Sequence, residues 1–311
     1  MSRSPESLSP EQTAHVLPYM PLAQSIRALL IDPSVSVPAR MVHSLAHGGS
    51  LFVMPASDDR VAITKLITFV ADNAQRGLST IQGDVVVFDA RDGQRLTILH
   101  GPTVTARRTA SVSLLACMEL APQPQGKLLI VGAGVQGRSH LEAFVQGLGV
   151  SEVLIASRST ASADALVAHA HSLGAQAQRT DDPDAALAEC TLVVSCTSAQ
   201  EIALRGTPRD DAFVSAVGAF TPLMVEWAPE VCRHIARHGH VVVDTRDADH
   251  EAGDLLQAGL NVTEFDSLAD VVRQRPSWAS PKQTQGPVFF KSCGWAGWDL
   301  AAARQCMFEI V

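Results

Sequence analysis

The sequence predicts an α/β protein with two domains, one of which contains a doubly wound parallel sheet. Three observations support this prediction. From about residue 127 to residue 266, short apolar runs alternate with segments of helical periodicity, the pattern of a parallel sheet with helices on both faces. Residues 39–100 instead have the pattern of successive strands, typical of an antiparallel sheet. The length of 311 residues also exceeds what a single hydrophobic core usually supports.

The first part of the chain predicts an α+β domain. Residues 9–13 have the composition of a helix start, and residues 22–30 are apolar at helical spacing. Strands are predicted after this helix at residues 39–45, 50–56, 61–69 and 84–89. Asp92-Gly93 is a typical hairpin turn before a further strand at residues 96–100. A helix is then predicted from Thr103 to Leu120.

A second domain is predicted after the Pro- and Gly-containing break at residues 122–126. Its predicted strands are residues 127–131, 153–155, 192–195, 213–216 and 241–243, and its predicted helices are residues 139–147, 161–173 and 183–188. The alternation fades after Asp266, and the tail has a predicted strand at 288–291 and a helix at 298–308. We assign residues 1–120 plus 288–311 to the first domain and residues 121–287 to the second.

Composition excludes several classes of protein. The net charge of −8 argues against a nucleic-acid interface, which needs a basic stripe. The six cysteines form no CxxC pair and no zinc-ligand spacing, so we expect buried free thiols, no metal site and a reducing compartment. The first 20 residues carry charges and prolines unlike a signal peptide, and the apolar runs are too short to span a bilayer. We expect a cytoplasmic protein.

The segment KLLIVGAGVQG predicts a dinucleotide site. Gly132, Gly134 and Gly137 follow an apolar strand and open a helix, the context that the Rossmann fingerprint requires. The three glycines permit a tight turn, close approach of the backbone to a pyrophosphate, and close packing of helix on strand. Val135 and Gln136 complete the turn, where free backbone amides at the helix N-terminus would bind the anion. The second domain is therefore predicted to be of Rossmann type.

The residues after the next predicted strand favour NADPH over NADH. An acidic residue expected there would bind the ribose 2′-hydroxyl of NAD, but the chain has Ser157, Arg158 and Ser159. An arginine between hydroxyls suits a 2′-phosphate, so we expect NADPH, with NADH as the weaker coenzyme. Two further strand ends should also face the cofactor, and they place Thr197, Ser198, Gly218 and Ala219 there.

Three basic residues lie in apolar or strand-like parts of the first domain: Arg40, Lys65 and Arg108. A lysine inside an apolar strand must be paired or take part in chemistry, because an uncompensated buried charge is costly. Each residue alone could equally be a salt-bridged or snorkelling side chain. Together they could form a cationic pocket for a small carboxylate.

Seven motifs between about residues 35 and 305 resemble the ornithine cyclodeaminase/μ-crystallin family: VPARMVHSL, AITKLITF, GLSTIQGDVVVFDARDG, TARRTAS, LLIVGAGVQGRSHLEAF, VGAFTP and FKSCGWAGWDLAAAR. The resemblance implies a Rossmann-type domain and an α+β domain that binds substrate, forms a homodimer and is completed by the C-terminal helix. It also implies a small amino-acid or imino-acid substrate with an α-carboxylate.

The resemblance also implies roles for individual residues. The carboxylate-binding arginines of the family fall on Arg40 and Arg108, the substrate-facing catalytic lysine on Lys65, and the hydroxyl of the GLxTIQG motif on Thr80. Ser292 belongs to the last motif, on the nicotinamide side. Two nearby residues are less clear. Arg107 has no assigned role, and Asp299 could cap the last helix, which we rank first, or balance a cation.

Phe220 departs from the family pattern. Cyclodeaminases and archaeal alanine dehydrogenases have an aspartate after the Gly-Ala of this loop, and a phenylalanine can neither accept a proton nor bind an ammonium by charge. We therefore expect reduction of cyclic imino acids, Δ1-pyrroline-2-carboxylate and Δ1-piperideine-2-carboxylate, with Phe220 against the ring, as in the bacterial ketimine reductases that the VGAFTP form resembles. Alternatives are a cyclodeaminase or amino-acid dehydrogenase, an opine-type dehydrogenase, or a non-catalytic NADPH-dependent binding protein like μ-crystallin.

Overall fold

The computed structural model describes residues 7–198, 200–274 and 286–310. The chain divides into two compact units, Met1–Arg108 with Trp295–Val311, and Thr109–Gly294. The division therefore falls at Arg108, within a helix, and not after Leu120. The predicted fold class, a doubly wound parallel sheet with a separate α+β unit completed by the C-terminal helix, is confirmed.

The first unit contains a five-stranded antiparallel sheet whose strands follow one another in chain order. Its elements are helices α1 (Pro10–His15) and α2 (Tyr19–Leu30), strands β1 (Met41–Ser44), β2 (Ser50–Ser57), β3 (Val61–Phe69), β4 (Ile81–Asp89) and β5 (Arg95–His100), a 3₁₀ turn (Ala71–Arg76), the start of α3 (Gly101–Leu120), and α10 (Ala296–Ile310). The hairpin predicted at Asp92-Gly93 joins β4 to β5, and Gly93 adopts a φ of 76° that favours glycine.

Strand β3 places every second side chain in the core of this unit. Val61, Ile63, Lys65 and Ile67 are buried, and the residues between them are more exposed. The last helix, α10, packs on β2, β3 and α2. It is held there by Arg304, which pairs with Asp58 and lies 2.7 Å from Asp32. The periodicity of one strand thus places a lysine beneath a helix from the far end of the chain.

The second unit is built on an eight-stranded parallel sheet of order β12-β11-β13-β10-β9-β6-β7-β8. After the remainder of α3, its elements are β6 (Leu128–Val131), α4 (Val135–Leu148), β7 (Glu152–Ala156), α5 (Thr160–Ser172), β8 (Gln176–Arg179), α6 (Pro183–Ala186), β9 (Leu192–Ser195), β10 (Phe213–Ala216), α7 (Pro229–His238), β11 (His240–Val243), α8 (Gly253–Gln257), β12 (Asp266–Ser267), α9 (Leu268–Gln274) and β13 (Val288–Lys291), with 3₁₀ turns at Arg246–His250 and Val262–Glu264. Strand β6 has β7 on one side and β9 on the other, so the chain reverses its winding there. Ligands of such sheets bind outside the strand ends at this point.

The assignment of residues 288–311 to the first domain was wrong for strand β13. This strand pairs with β10 on one side and β11 on the other, so it is an inner strand of the parallel sheet. All four of its side chains are buried, as expected for a strand covered on both faces. Strand β8 and helices α7 to α9 were not predicted. β8 is an edge strand with the polar sequence QAQR, which gives little apolar signal.

Two further expectations concern the whole chain. The six cysteines are free, and five of them are buried while Cys196 is half-buried. Across the described ranges, none of the helices combines the length and the apolar composition needed to span a bilayer.

Candidate functional site

Lys65, Arg108 and Asp299 form a buried ionic cluster in the first unit, named here the cation cluster. Lys65 Nζ lies 3.0 Å from Asp299 Oδ1, and Arg108 Nε lies 3.4 Å from the same oxygen. Lys65 and Asp299 are 1% and 0% exposed, and Arg108 is 6% exposed. Strand β3, helix α3 and the first turn of α10 thus each contribute one charged side chain to a site removed from water.

The cation cluster carries one more positive charge than negative charge when Lys65 is protonated. Arg108 Nε and Asp299 Oδ2 are both buried without a hydrogen-bond partner. Burial lowers the pKa of Lys65 to about 8; Asp299 opposes this shift, and the positive charges of Arg108 and Arg40 add to it. Two cations that share one carboxylate oxygen leave the cation cluster with an excess positive charge, which a second carboxylate would balance while using the free donor.

Arg40 and Thr80 lie near the same sheet. Arg40 precedes β1, is half-buried, and has its guanidinium 5.7 Å from the ring centroid of Phe52. Its charge acts on Lys65, which places it within electrostatic reach of the cation cluster. Thr80 precedes β4 and is half-buried, and its carbonyl accepts the N–H of Val70 at 2.9 Å. The roles of both residues toward a substrate stay predictions.

The structure shows the contacts of two residues, Asp299 and Arg107, whose roles were left open by the sequence. Asp299 was ranked first as a helix cap, but its carboxylate pairs with Lys65 and Arg108, so the charge-balancing alternative replaces that ranking. Arg107 points elsewhere, as expected for adjacent residues on a helix. Its Nε donates to the carbonyl of Leu17 at 2.6 Å, and its guanidinium lies 3.9 Å from the ring centroid of Tyr19. Arg107 is therefore a structural contact of the N-terminal helices.

The glycine-rich turn of the second unit has the geometry of an anion cradle. Gly132 adopts a φ of +116°, and a Cβ there would lie 2.6 Å from the carbonyl oxygen of Cys196. A Cβ on Gly137 would collide with the carbonyl of Gly132, whereas one on Gly134 would meet nothing within 4 Å. Gly134 is also the N-cap of α4, and no side chain caps its amides. The turn thus presents open space and free N–H groups at one helix end.

A cavity of about 570 Å³ lies at this turn. Its volume is within the range that is usual for small-molecule and cofactor sites. Seven of the predicted cofactor residues line it: Gly132, Gly134, Ser157, Arg158, Ser159, Thr197 and Ser198. They come from the ends of β6, β7 and β9, which are adjacent in the sheet. An open glycine cradle at one end and an arginine among hydroxyls at the other match a pyrophosphate and a ribose 2′-phosphate.

Arg158 has two partners on the loop after β9. Its guanidinium lies 3.1 Å from Glu201 Oε1 and 3.1 Å from Ser198 Oγ. Both Arg158 and Glu201 are largely exposed, at 73% and 71% of their side chains, so solvent screens this ion pair. Glu201 also lines the cavity and was not predicted, because it lies far from Arg158 in the sequence and follows a different strand.

The remaining predicted cofactor residues do not line this cavity. Val135 is 71% exposed, while Gln136 is half-buried and Gly137 is buried. Gly218, Ala219 and Ser292 are buried at the ends of β10 and β13; Gly218 donates its N–H to Glu226 and Ser292 its hydroxyl to Asp244. Phe220 is half-buried in the loop after β10. Contacts of these residues with a cofactor or substrate stay predictions.

Within the described residues, no group of three or more His, Cys, Asp or Glu side chains could hold a metal ion.

Comparison with known proteins relates the whole chain to a single family. The family model described as the ornithine cyclodeaminase/mu-crystallin family matches residues 27–310. The chain is 36% identical over 307 residues to Delta(1)-pyrroline-2-carboxylate reductase 1 of Burkholderia multivorans, covering 98% of this chain and 95% of that protein. It is 35% identical over 296 residues to the Delta(1)-pyrroline-2-carboxylate/Delta(1)-piperideine-2-carboxylate reductase of Azospirillum brasilense, covering 94% and 92%.

A solved structure supports the fold. Delta(1)-pyrroline-2-carboxylate reductase of Thermococcus litoralis, determined in complex with NADH and L-proline, matches with a TM-score of 0.83 and 21% sequence identity. The match covers 97% of this chain and 93% of that one. At this identity the likeness establishes the arrangement of strands and helices and leaves the chemistry to be argued from the side chains.

Proposed function

The chain belongs to the ornithine cyclodeaminase/mu-crystallin family, and we propose that it reduces cyclic imino acids with NADPH. The products are L-proline from Δ1-pyrroline-2-carboxylate and L-pipecolate from Δ1-piperideine-2-carboxylate. The observation that carries the proposal is the cation cluster, in which two buried cations share one carboxylate oxygen and leave a donor unused. Relatives at 36% and 35% identity are named as reductases of such imino acids.

The first step is recognition of the α-carboxylate. Arg108 and Arg40 bind it, and Lys65 contributes its ammonium group, so that the substrate supplies the negative charge that the cation cluster lacks. Asp299 holds Lys65 and Arg108 through one oxygen and so fixes both donors before the substrate arrives. Because these groups are already desolvated and paired to a rigid partner, little ordering is needed when the carboxylate binds.

Reduction of the imine then needs little acid–base chemistry. A ring imine can bind already protonated, and addition of hydride to its C2 converts the C=N bond to C–N without a further proton at that step. The dinucleotide, when bound, supplies this hydride. The chain contributes orientation: the carboxylate is held by the arginines, and Phe220 provides an apolar surface for the ring methylenes. A phenylalanine at this position disfavours the cyclodeaminase and amino-acid dehydrogenase alternatives, which need a carboxylate there.

NADPH is the preferred coenzyme in this proposal. Arg158 lies among the hydroxyls of Ser157, Ser159 and Ser198 at the edge of the cavity, where a 2′-phosphate would accept hydrogen bonds from them. Its present partner, Glu201, forms an exposed ion pair with it, and such a pair typically contributes about 0–1 kcal/mol. A phosphate can therefore displace Glu201 at small cost, and NADH remains the weaker alternative.

The protein is also proposed to be a cytoplasmic homodimer that associates through the first unit. Met41, Val53 and Leu66 are cross-strand neighbours on β1, β2 and β3, on the sheet face opposite Lys65. Met41 and Leu66 are 56% and 45% exposed, so this face of the sheet presents neighbouring apolar side chains, the kind of patch that protein–protein interfaces use. The free cysteines are those of a protein from a reducing compartment.

Oxidation of NADPH and of NADH should be followed with Δ1-pyrroline-2-carboxylate, Δ1-piperideine-2-carboxylate, and pyruvate plus ammonia. Ornithine is incubated in parallel and release of ammonia is measured. We expect turnover of at least one cyclic imine, faster with NADPH than with NADH, and no ammonia from ornithine. Absence of activity on both cyclic imines would refute the proposed function, and faster turnover with NADH would refute the role given to Arg158.

Binding of a carboxylate should weaken as the pH rises through about 8, because burial lowers the pKa of Lys65 to that value and its ammonium is lost above it. The probe is pyrrole-2-carboxylate, a planar ring acid whose own charge is constant in this range. One pH unit above the pKa, about a tenth of the lysine is protonated, so the Kd should rise by up to about tenfold. A Lys65→Arg variant, charged throughout, should show a flat profile. A flat wild-type profile would contradict the assignment.

A further inference from the structure

Glu226 is a fully buried carboxylate that joins two loops of the second unit. Its Oε1 accepts the backbone N–H of Thr197 at 2.6 Å, and its Oε2 accepts the backbone N–H of Gly218 at 2.8 Å. Oε2 also accepts the hydroxyl of Ser195 at 3.0 Å. Thr197 follows β9 and Gly218 follows β10, so one side chain bridges the carboxyl ends of two adjacent parallel strands.

The fit between Glu226 and these loops is close. A Cβ on Gly218 would collide with the carboxylate of Glu226 and would lie 2.6 Å from the carbonyl oxygen of Thr197. Glycine at position 218 is therefore needed for the loop to approach the carboxylate, although the residue has no left-handed φ. Both oxygens of Glu226 are in use, and both bind main-chain donors, so the carboxylate fixes backbone position and not merely a side chain.

Glu226 is itself fixed from behind by a second buried pair. Asp254 Oδ1 accepts the backbone N–H groups of Glu226 and Trp227, at 2.6 and 3.0 Å. Asp254 Oδ2 lies 2.9 Å from Nζ of Lys291 on β13, and both of these side chains are 0% exposed. Burial and the nearby Asp254 carboxylate raise the pKa of Glu226, and Lys291 and the hydrogen bonds with Thr197 oppose this shift. Three buried charged groups, Glu226, Asp254 and Lys291, therefore form a connected set, and Glu226 joins that set to the two loops.

We propose that Glu226 is a positioning residue that fixes the loops after β9 and β10 for the nicotinamide half of the dinucleotide. The inference rests on the proposed function, in which Phe220, on the loop after β10, lies against the ring that receives the hydride. The glycine turn and Arg158 hold the adenosine and phosphate half and make no hydrogen bond to Glu226 in the described structure. The loop after β9 reaches Arg158 through the exposed side chains of Ser198 and Glu201, each 3.1 Å away. Glu226 should therefore affect the nicotinamide half of the coenzyme much more than the adenosine half.

The test is Glu226→Gln, which keeps the size of the side chain but replaces one acceptor oxygen with a donor NH₂. Either orientation of the amide leaves the N–H of Thr197 or of Gly218 facing another donor. Affinities are measured for the intact dinucleotide and for its adenosine half: NADPH with 2′,5′-ADP or, if the wild type prefers NADH, NADH with ADP. We expect binding of the intact dinucleotide to weaken about tenfold or more and binding of the half-molecule to stay within about twofold.

Two further measurements separate positioning from a general loss of stability. The fluorescence of the bound reduced nicotinamide should change in Glu226→Gln, because that ring loses its defined surroundings. Val214→Ala, a cavity variant in the buried part of β10, should lower Tm and leave the ratio of the two affinities unchanged. If Glu226→Gln does not fold, Glu226→Asp keeps the charge but is too short to reach both loops, and the same pattern is expected with a smaller effect.

Failure of the positioning role and failure of the proposed function would give different results in this test. Because the measurement is one of coenzyme binding, it gives an answer even if the protein reduces neither cyclic imine. Equal weakening of both ligands, or wild-type binding and fluorescence in the Glu226 variants, would overturn the positioning role. A wild-type protein that bound neither dinucleotide would overturn both the role and the proposed function.

Discussion

Replacing Lys65 with methionine is expected to lower kcat/KM for the cyclic imine by about 30- to 5,000-fold, because truncating one partner of a buried, charged hydrogen bond generally costs about 2–5 kcal/mol of binding free energy. Lys65 is the most deeply buried cation of the cation cluster and touches Asp299 at 3.0 Å, so no water molecule readily takes its place. Methionine matches its length without its charge. Coenzyme affinity should stay within about threefold of the wild type, because the glycine turn and Arg158 belong to a different unit.

The Lys65 variant needs a control for stability. Removing one partner of a buried ion pair destabilises a protein by about 3–5 kcal/mol when the other charge is left uncompensated. Here Arg108 stays beside Asp299 and should reduce the loss. The double variant Lys65→Met with Asp299→Asn leaves the buried Arg108 without a counter-charge and should have a lower Tm than Lys65→Met alone. Near-wild-type turnover by Lys65→Met would show that Lys65 has no catalytic role, and a fall in turnover that is matched by an equal loss of folded protein would show that its effect was on folding alone.

Replacing Arg108 with glutamine is expected to raise KM for the cyclic imine, and the Kd of pyrrole-2-carboxylate, by about 30- to 5,000-fold. Truncating one partner of a buried, charged hydrogen bond generally costs about 2–5 kcal/mol of binding free energy. Arg108 Nε is ion-paired with Asp299 at 3.4 Å but makes no hydrogen bond within the described residues, so the carboxylate of the substrate adds to the interactions of Arg108 and does not replace one. The effect on kcat should be much smaller, because Arg108 binds the end of the substrate that does not react.

The neighbouring arginine offers a matched control. Arg107→Gln removes the same charge one position earlier on α3, but its guanidinium contacts Leu17 and Tyr19. This variant should lower Tm and leave KM and the Kd of pyrrole-2-carboxylate unchanged. An equal rise in KM for both variants would mean that overall charge, and not the geometry of the cation cluster, determines substrate affinity. An unchanged KM in Arg108→Gln would remove Arg108 from the carboxylate site.

The parts of the molecule that sequence predicted well are those whose signals are local. The glycine turn is such a case, since a strand, three glycines and a helix occupy consecutive positions and the chemistry of the turn depends on them alone. Lys65 was singled out because its neighbours on β3 are apolar. Lys291 on β13 gives the same signal within VFFK and could have been found by the same reasoning; it pairs with Asp254.

The parts that sequence did not predict depend on partners far along the chain. Asp299 precedes a helical run, and that context favoured a cap; its actual partner, Lys65, is 234 residues away. Sequence motifs could not identify Glu226, because it binds backbone N–H groups and all residues except proline have one. Strand β13 was assigned to the wrong domain because three apolar residues and a lysine specify a buried strand without specifying its sheet. Register and long-range pairing decide these cases, and they become visible only in the folded chain.

The discontinuity of the first unit has a consequence for biosynthesis. A ribosome makes Lys65 and Arg108 early, whereas Asp299 on α10 comes after every strand of both sheets. At typical synthesis rates of about 5–20 residues per second, the two cations lack their counter-charge for on the order of ten seconds or more. The parallel sheet, encoded between them, can become ordered during that interval. Assembly of the cation cluster must therefore wait until Asp299 has been synthesised.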